Sequence, residues 1–243
     1  MEQIQGGLDK QVFTTHYGKS TEIIENKIFK ATKPGDTAIE LEWPSALSIA
    51  KCSVIIRNCG FESGTHEWAN CIKLTNAWHA VIENCWGLAG PTGNFQNGVI
   101  LDGQSMNARV SNCTFTHPVT GVLVTGESEG TKINGCEFLA SVFGIMINTP
   151  QGEAGAWVTD THISAAWAGI VAINRPQAFY SNLLIYKHPW RAKEDFSGIF
   201  VGPGSHNTSI SHVQVNGLGA PVVPVSKLQA NGVIEHDVRE IYA

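Results

Sequence analysis

The sequence predicts an all-β fold, a right-handed single-stranded parallel β-helix of about seven to eight coils with N- and C-terminal caps. Three observations predict it. A block repeats: Ala108–Phe115 followed by Gly121–Thr125 recurs as Thr131–Phe138 followed by Gly144–Asn148, 23 residues later. A column of Asn and Gly residues falls at one position of every copy. Long helical periodicity is absent, while Gly at 25 and Pro at 10 in 243 residues imply many turns. A repeat of this length must be settled first, because it determines the architecture.

The first strand of each copy reads Gly-apolar-x-apolar or a variant of it. The copies are Ala38–Leu41, Cys71–Leu74, Gly98–Leu101, Gly121–Val124, Gly144–Ile147, Gly169–Ala172 and Gly198–Val201, with Gly232–Glu235 as a degenerate last one. Their spacing runs from 23 to 34 residues; 23 is the bare coil and the excess is loop. The second strand and its corner recur as Val54–Phe61, Ala80–Gly87, Ala108–Phe115, Lys132–Phe138, Ala156–Ile163, Ala178–Ile185 and Thr208–Val215. The corner position reads Asn58, Asn84, Asn112, Gly135, Asp160, Asn182, His212. These residue types tolerate a left-handed backbone, so the column predicts one αL corner repeated, with amides able to hydrogen-bond along the stack.

After the corner come the columns Cys59, Cys85, Cys113, Cys136, Thr161, Leu183, Val213 and, two residues on, Phe61, Gly87, Phe115, Phe138, Ile163, Ile185, Val215. Period-2 alternation places both inside. Six cysteines are an even number, but placement one per coil favours free buried thiols over a disulfide framework. Residues 1–34 do not match the repeat and read as a cap or attachment segment; 35–216 form the coil stack, and 217–243 a C-terminal cap.

The balance of 16 basic and 21 acidic residues, net charge -5, gives no basic field for nucleic acid, and no apolar run reaches membrane-spanning length. Met1–Lys10 has no apolar segment behind basic residues, so no secretory signal is expected there. Zinc spacing, Asp-x-Asp calcium loops, phosphate loops and Ser/His/Asp constellations are not readable, so neither cofactor nor metal is expected.

The columns Asn58-Cys59, Asn84-Cys85 and Asn112-Cys113, with the Gly-apolar-x-apolar strands over about residues 38–216, resemble the pectate-lyase-like superfamily of right-handed β-helices. Within it the chain looks most like the bacteriophage tailspikes. The resemblance implies recognition of a bacterial surface polysaccharide (capsule or lipopolysaccharide), with hydrolysis as an added activity. It also implies a homotrimer, other virion tail proteins as partners and a place on the virion tail. Alternatives are a non-catalytic trimeric adhesin or tail component, and a polysaccharide lyase. No catalytic motif of the superfamily matches residue by residue.

The outward residue of the first strand reads Glu40, Lys73, Ile100, Leu123, Met146, Val171, Phe200, Ile234 down the stack. The apolar members, Ile100, Leu123, Met146, Val171 and Phe200 above all, predict a seam with another copy, or cover by a terminal segment. Loops differ in length: long at 62–70, 87–97 and 186–197, short at 116–120, 139–143 and 164–168, which describes a trough. Its walls hold Trp68, Phe95, Trp190 and His188 as sugar-binding candidates, and Glu67, Glu194 and Asp195 as catalytic ones. Glycoside hydrolysis wants two carboxylates about 5–9.5 Å apart, and aromatic rings stack on sugars. Each of these carboxylates also reads as an ordinary solvated loop charge. Two smaller candidates are the acidic turn Thr125–Gly130 beside Asp102 and Glu153, and Glu137 with His162 on neighbouring coils as an acid/base pair.

Overall fold

The computed structural model describes residues 1–12, 22–44, 54–89, 95–150, 155–189, 195–219 and 221–241. Every regular element among them is a β-strand, and every strand pairing is parallel. Each strand lies on its own copy one coil away. The stack has three faces: a glycine face, a pre-corner face and a post-corner face.

The glycine face runs Thr37–Glu42, Asn70–Thr75, Phe95–Asp102, Pro118–Thr125, the end of Glu137–Asn148, the end of Ala156–Ile173, Ser197–Val201 and Val223–Lys227. The pre-corner face begins at Glu22–Glu25 and passes through Val54–Arg57, Val81–Glu83, Arg109–Ser111 and Lys132–Asn134 to Ile234–Ile241. The post-corner face carries Gly60–Glu62, Trp86–Leu88 and Thr114–Thr116.

The corner between the last two faces is left-handed at Asn58, Asn84, Asn112, Gly135, Asp160, Asn182 and His212, with φ between 52° and 62°. Amides bond along part of it: Asn58 Nδ2 donates to Asn26 Oδ1 at 3.3 Å, and Asn182 Nδ2 donates to Asp160. A second amide ladder joins Asn97 to Asn70 at 2.9 Å on the glycine face.

The corner column is longer than the sequence pattern shows. Asn26 (φ 57°) adds a copy before it and Asp237 (φ 53°) one after it. Parallel register therefore continues through both flanking segments, with Glu2–Gln5 on Lys27–Lys30 and Ile234–Ile241 on Thr208–Asn216. The first extra copy is hidden because Lys27 stands where later coils have cysteine, next to Ile28↔Gly60 and Phe29↔Phe61.

One reading is corrected at the C-terminal end. Gly232–Glu235 is not the last glycine-face strand: Ile234 pairs with Ser209 on the pre-corner face. Gly232 is a left-handed turn residue (φ 64°) above Asn207, and Val223–Lys227 takes the place on the glycine face. The outward stripe accordingly ends Val171, Phe200, Ser226 rather than at Ile234.

Phenylalanines stack along the interior, Phe29 on Phe61 at 5.5 Å and Phe115 on Phe138 at 6.4 Å between ring centres. The glycine face needs its glycines because these rings reach it: a Cβ on Gly121 would lie 2.2 Å from Phe138 Cδ1 and 2.5 Å from the Gly144 carbonyl oxygen. At one coil the Phe column holds Gly87, and the rings of Phe115 and Phe95 together close over it.

The five described cysteines, Cys59, Cys71, Cys85, Cys113 and Cys136, are free and buried. Four of them direct Sγ to the carbonyl two residues before, for example Cys113 to Ser111 at 3.3 Å. Burial pushes the Cys71 thiol well above its ordinary value, so it packs as a small apolar side chain.

Candidate functional site

The trough on the glycine face is built differently from the sequence expectation. Trp68 is buried, and its indole N–H donates to the Glu62 carbonyl at 3.0 Å. Phe95 is wholly buried, edge-on to Phe115 at 6.1 Å. Neither offers a ring to a sugar. Phe95 is drawn inward by the hole at Gly87, and that missing Phe in a regular column was the signal for it. Glu67 is half-buried and accepts the Ser63 hydroxyl at 2.7 Å; Asp195 is exposed; His188 is half-buried, its amide on the Ala165 carbonyl at 2.7 Å. Trp190 and Glu194 lie outside the described residues, as does Glu153.

Glu67 and Asp195 cannot act as a pair. Asn70, three residues after Glu67, and Ser197, two after Asp195, are joined through Asn97, Thr120, Phe143 and Ala168. Five strand spacings put the two ends about 24 Å apart. That is well beyond either carboxylate separation used in glycoside hydrolysis. The trough floor does hold one ring missed from sequence: Trp167, 44% exposed and edge-on to Phe143 at 5.9 Å.

The acidic turn is internally satisfied. Ser128 Oγ donates to the Thr125 carbonyl at 2.9 Å, and Gln104 Nε2 donates to Glu127 Oε2 at 2.7 Å. Asp102 accepts the Gly103 amide at 2.8 Å. No cluster of three or more His, Cys, Asp or Glu that could hold a metal occurs among the described residues.

Glu137 and His162 are direct neighbours in register, as their spacing predicts. Glu137 Oε2 accepts the Thr114 hydroxyl at 3.4 Å, and the His162 ring meets Tyr186 edge-on at 5.3 Å. They border a larger feature. Two grooves of about 480 and 630 Å³ open along the αL corner. Asp160, His162, Asn182, His212, Asp237 and Arg239 line the first. Arg109, Ser111, Lys132, Asn134, Trp157 and Thr159 line the second. They come closest at the consecutive residues Thr159 and Asp160, one groove on the pre-corner side and the other on the corner and post-corner side.

An aromatic ladder stands on its pre-corner side. Register stacks Lys132, Trp157, Phe179 and Ser209 in one outward column. Lys132 Nζ sits 5.6 Å from the centre of a Trp157 ring. Trp157 and Phe179 lie parallel, 5.6 Å apart with 9° between planes. Phe179 remains 40% exposed because Ser209, next in the column, is too small to cover it. Asp160 is held in place across the corner: Asn134 Nδ2 donates to it at 2.9 Å, and Asn182 donates from the next coil. Trp157 and Phe179 hold the same place in the aligned copies Ala156–Ile163 and Ala178–Ile185, so their column was readable in sequence; the sequence does not show that the rings lie parallel and that Ser209 leaves Phe179 exposed.

The family model "Right handed beta helix region" matches residues 97–238. None of the curated proteins matches the chain. Among solved structures it is similar to a glycoside hydrolase, with TM-score 0.47 and 12% identity over 88% of this chain and 38% of that one. It is also similar to a tailspike protein mutant of E. coli bacteriophage HK620 in complex with a pentasaccharide, with TM-score 0.41 and 10% identity over 99% of this chain and 58% of that one. The chain thus spans less than two thirds of either structure.

Proposed function

We propose, for a chain that belongs to the right-handed beta-helix family, that it binds a polysaccharide along the αL corner. The observation that carries this reading is the stacked pair Trp157–Phe179 beside the two corner grooves. A sugar ring is apolar on its C–H faces and polar around its rim. The open face of Phe179 above Ser209 and the outer edge of Trp157, beside hydroxyl, amide and imidazole groups, suit both parts. Ser111, Thr159 and His162 supply the polar groups. Grooves that each cross several coils suit a chain ligand better than a single small molecule.

The biological setting in this proposal is a tailspike-like protein on a virion tail, extracellular after assembly, contacting other tail proteins and a bacterial capsule or lipopolysaccharide. It rests on the Asn-Cys-Phe ladder of the sequence. The proposed assembly is a homotrimer. Its seam is the stripe Ile100, Leu123, Met146, Val171 and Phe200, which register aligns one above another. Four spacings make it about 19 Å long. Val171 is already buried and the other four are half-buried, so replacing Leu123 and Met146 by Glu should dissociate the oligomer without unfolding it. A monomer by light scattering at micromolar concentration overturns the seam.

Hydrolysis is the finer reading. Glu137 and Asp160 lie on adjoining coils across the corner, since Asn134 pairs with Thr159 and Glu137 with His162. One acts as acid and the other as base or nucleophile in this reading. Glu137→Gln or Asp160→Asn should stop reducing-end release while binding persists. If the unaltered chain releases no product, the hydrolase reading falls and binding alone stands.

The decisive experiment is titration of capsular and lipopolysaccharide fragments against the protein and its Trp157→Ala and Phe179→Ala variants. Each variant should lose about tenfold in affinity, the order expected for one aromatic contact of about 1.4 kcal/mol. Binding unchanged in both variants but lost in Trp167→Ala moves the site to the glycine-face trough. No binding to any bacterial polysaccharide overturns the proposal.

A further inference from the structure

We infer that the groove between Arg109 and Trp157 is a subsite for an anionic group carried on the sugar chain, so that the polysaccharide is acidic; this rests on the polysaccharide reading above. Arg109 and Lys132 are exposed and lie side by side in register on the pre-corner face. Both line the 630 Å³ groove. None of the ion pairs between described residues uses either of them, whereas Lys10, Lys27, Lys30, Arg57, Lys73, Lys227 and Arg239 are all paired. Two adjacent unpaired cations repel each other, and an anion between them relieves the repulsion.

The carboxylates near the groove do not fill that role. Asp160, across the corner, has its oxygens engaged by Asn134 and Asn182. Glu83 is in register with Ser111, diagonal to Arg109, and forms no ion pair with it among the described residues. The Asn134 amide is itself used, donating to Thr159 Oγ1 at 2.8 Å and to Asp160 at 2.9 Å. Among the donors lining the groove, the Arg109 guanidinium, the Lys132 ammonium and the Ser111 hydroxyl form a set that suits a carboxylate or sulfate oxygen. Lys132 is also aligned by its place over the Trp157 ring. A sugar resting on the aromatic ladder thereby presents a substituent to the cationic pair.

The test compares each acidic oligosaccharide with its neutralised counterpart. Probes are oligogalacturonate, hyaluronan and oligosialate fragments against their carboxyl-reduced forms, a heparin fragment against its desulfated form, and capsular fragments treated likewise. At low salt an acidic form should bind about tenfold more tightly than its neutral partner. Lys132→Gln with Arg109→Gln should erase that difference, as should about 0.5 M salt, which shortens the screening length below the reach of exposed charges. Both residues are exposed, so the melting temperature should stay unchanged. Preference for a carboxylate or for a sulfate identifies the group. Equal binding of acidic and neutral forms, with Trp157→Ala still weakening both, overturns the charge inference and leaves the polysaccharide reading. Absence of binding by every form, acidic or neutral, overturns both.

Discussion

Gly121 and Phe138 share one space: a Cβ on Gly121 would lie 2.2 Å from Phe138 Cδ1, so the ring of one coil rests on the bare backbone of the coil before it. Gly144 with Ile163, and Gly169 with Ile185, repeat the relationship. The glycine that opens each strand and the large residue that closes the post-corner strand are therefore one packing device.

Gly121→Ala should destabilise the fold by about 2–3 kcal/mol, because the neighbours are a tightly stacked ring and a backbone carbonyl. Phe138→Leu added to it should recover part of that loss, giving a non-additive cycle in urea denaturation. Full recovery is not expected, since the Gly144 oxygen stays 2.5 Å away. An additive cycle would refute the shared space.

The corner makes a second prediction. Asn58 has φ 53°, where a residue with an ordinary Cβ pays steric strain, and its amide donates to Asn26 Oδ1. Asn58→Ala should cost about 1–2 kcal/mol. Asn58→Gly should cost clearly less, because glycine adopts the same backbone without strain and loses only the exposed amide bond. Thermal melts of the two variants in that order support the αL column; the reverse order contradicts it.

Arg175 is wholly buried, and its guanidinium donates to Thr149 Oγ1 at 2.8 Å, to the Ser128 carbonyl at 3.1 Å and to the Gln177 carbonyl at 3.1 Å. Burial lowers its pKa, and these acceptors hold the charge in place. One side chain thus ties neighbouring coils at a turn. Arg175→Met keeps the stem and strands the acceptors, and should cost about 3 kcal/mol in chemical denaturation. A loss under about 0.5 kcal/mol would show that the acceptors do not need it.

Glu40 carries the pH prediction. Burial opposes its ionisation, yet Lys73 at 3.1 Å and Lys10 at 3.4 Å outweigh burial and hold the carboxyl below its ordinary value. A depressed folded-state pKa gives stability that is complete above the unfolded value and is lost as pH falls through the folded one. Lys73→Met should therefore lower stability by about 0.5–1 kcal/mol at pH 7, with the gap to the unaltered chain closing below the usual carboxylate range. A gap that persists at acid pH assigns the loss to packing instead.

What was legible in the sequence and what was not divides along neighbourhood. The Asn column, the cysteine column and the Gly-Phe alternation each recur within one coil, so αL tolerance and period-2 burial were enough to obtain the fold and the order of its faces. Coils at the ends escaped where Lys27 replaced a cysteine and where Gly232 served as a turn residue. The candidate site was much less legible. Trp68 and Phe95 fell in loops of the length a binding wall needs, but the core takes Phe95 in beside Gly87, and Trp68 is buried with its indole N–H on the Glu62 carbonyl. Glu67 and Asp195 shared a face, yet five coils separated them.

The sequence by itself determined the parallel β-helix, its left-handed corner and its buried ladders, because these are dictated by backbone conformation and side-chain alternation within each repeat. The sequence also aligned the outward stripe from Ile100 to Phe200 and the pair Glu137–His162; only the tertiary structure decided which outward side chains stay exposed and what grooves they line. Arg109, Lys132, Trp157 and Phe179 are each separated by more than 20 residues in the chain and become neighbours when coils stack. Strand spacing then converts distant residues into adjacent ones, and a surface built that way exists only after register is set.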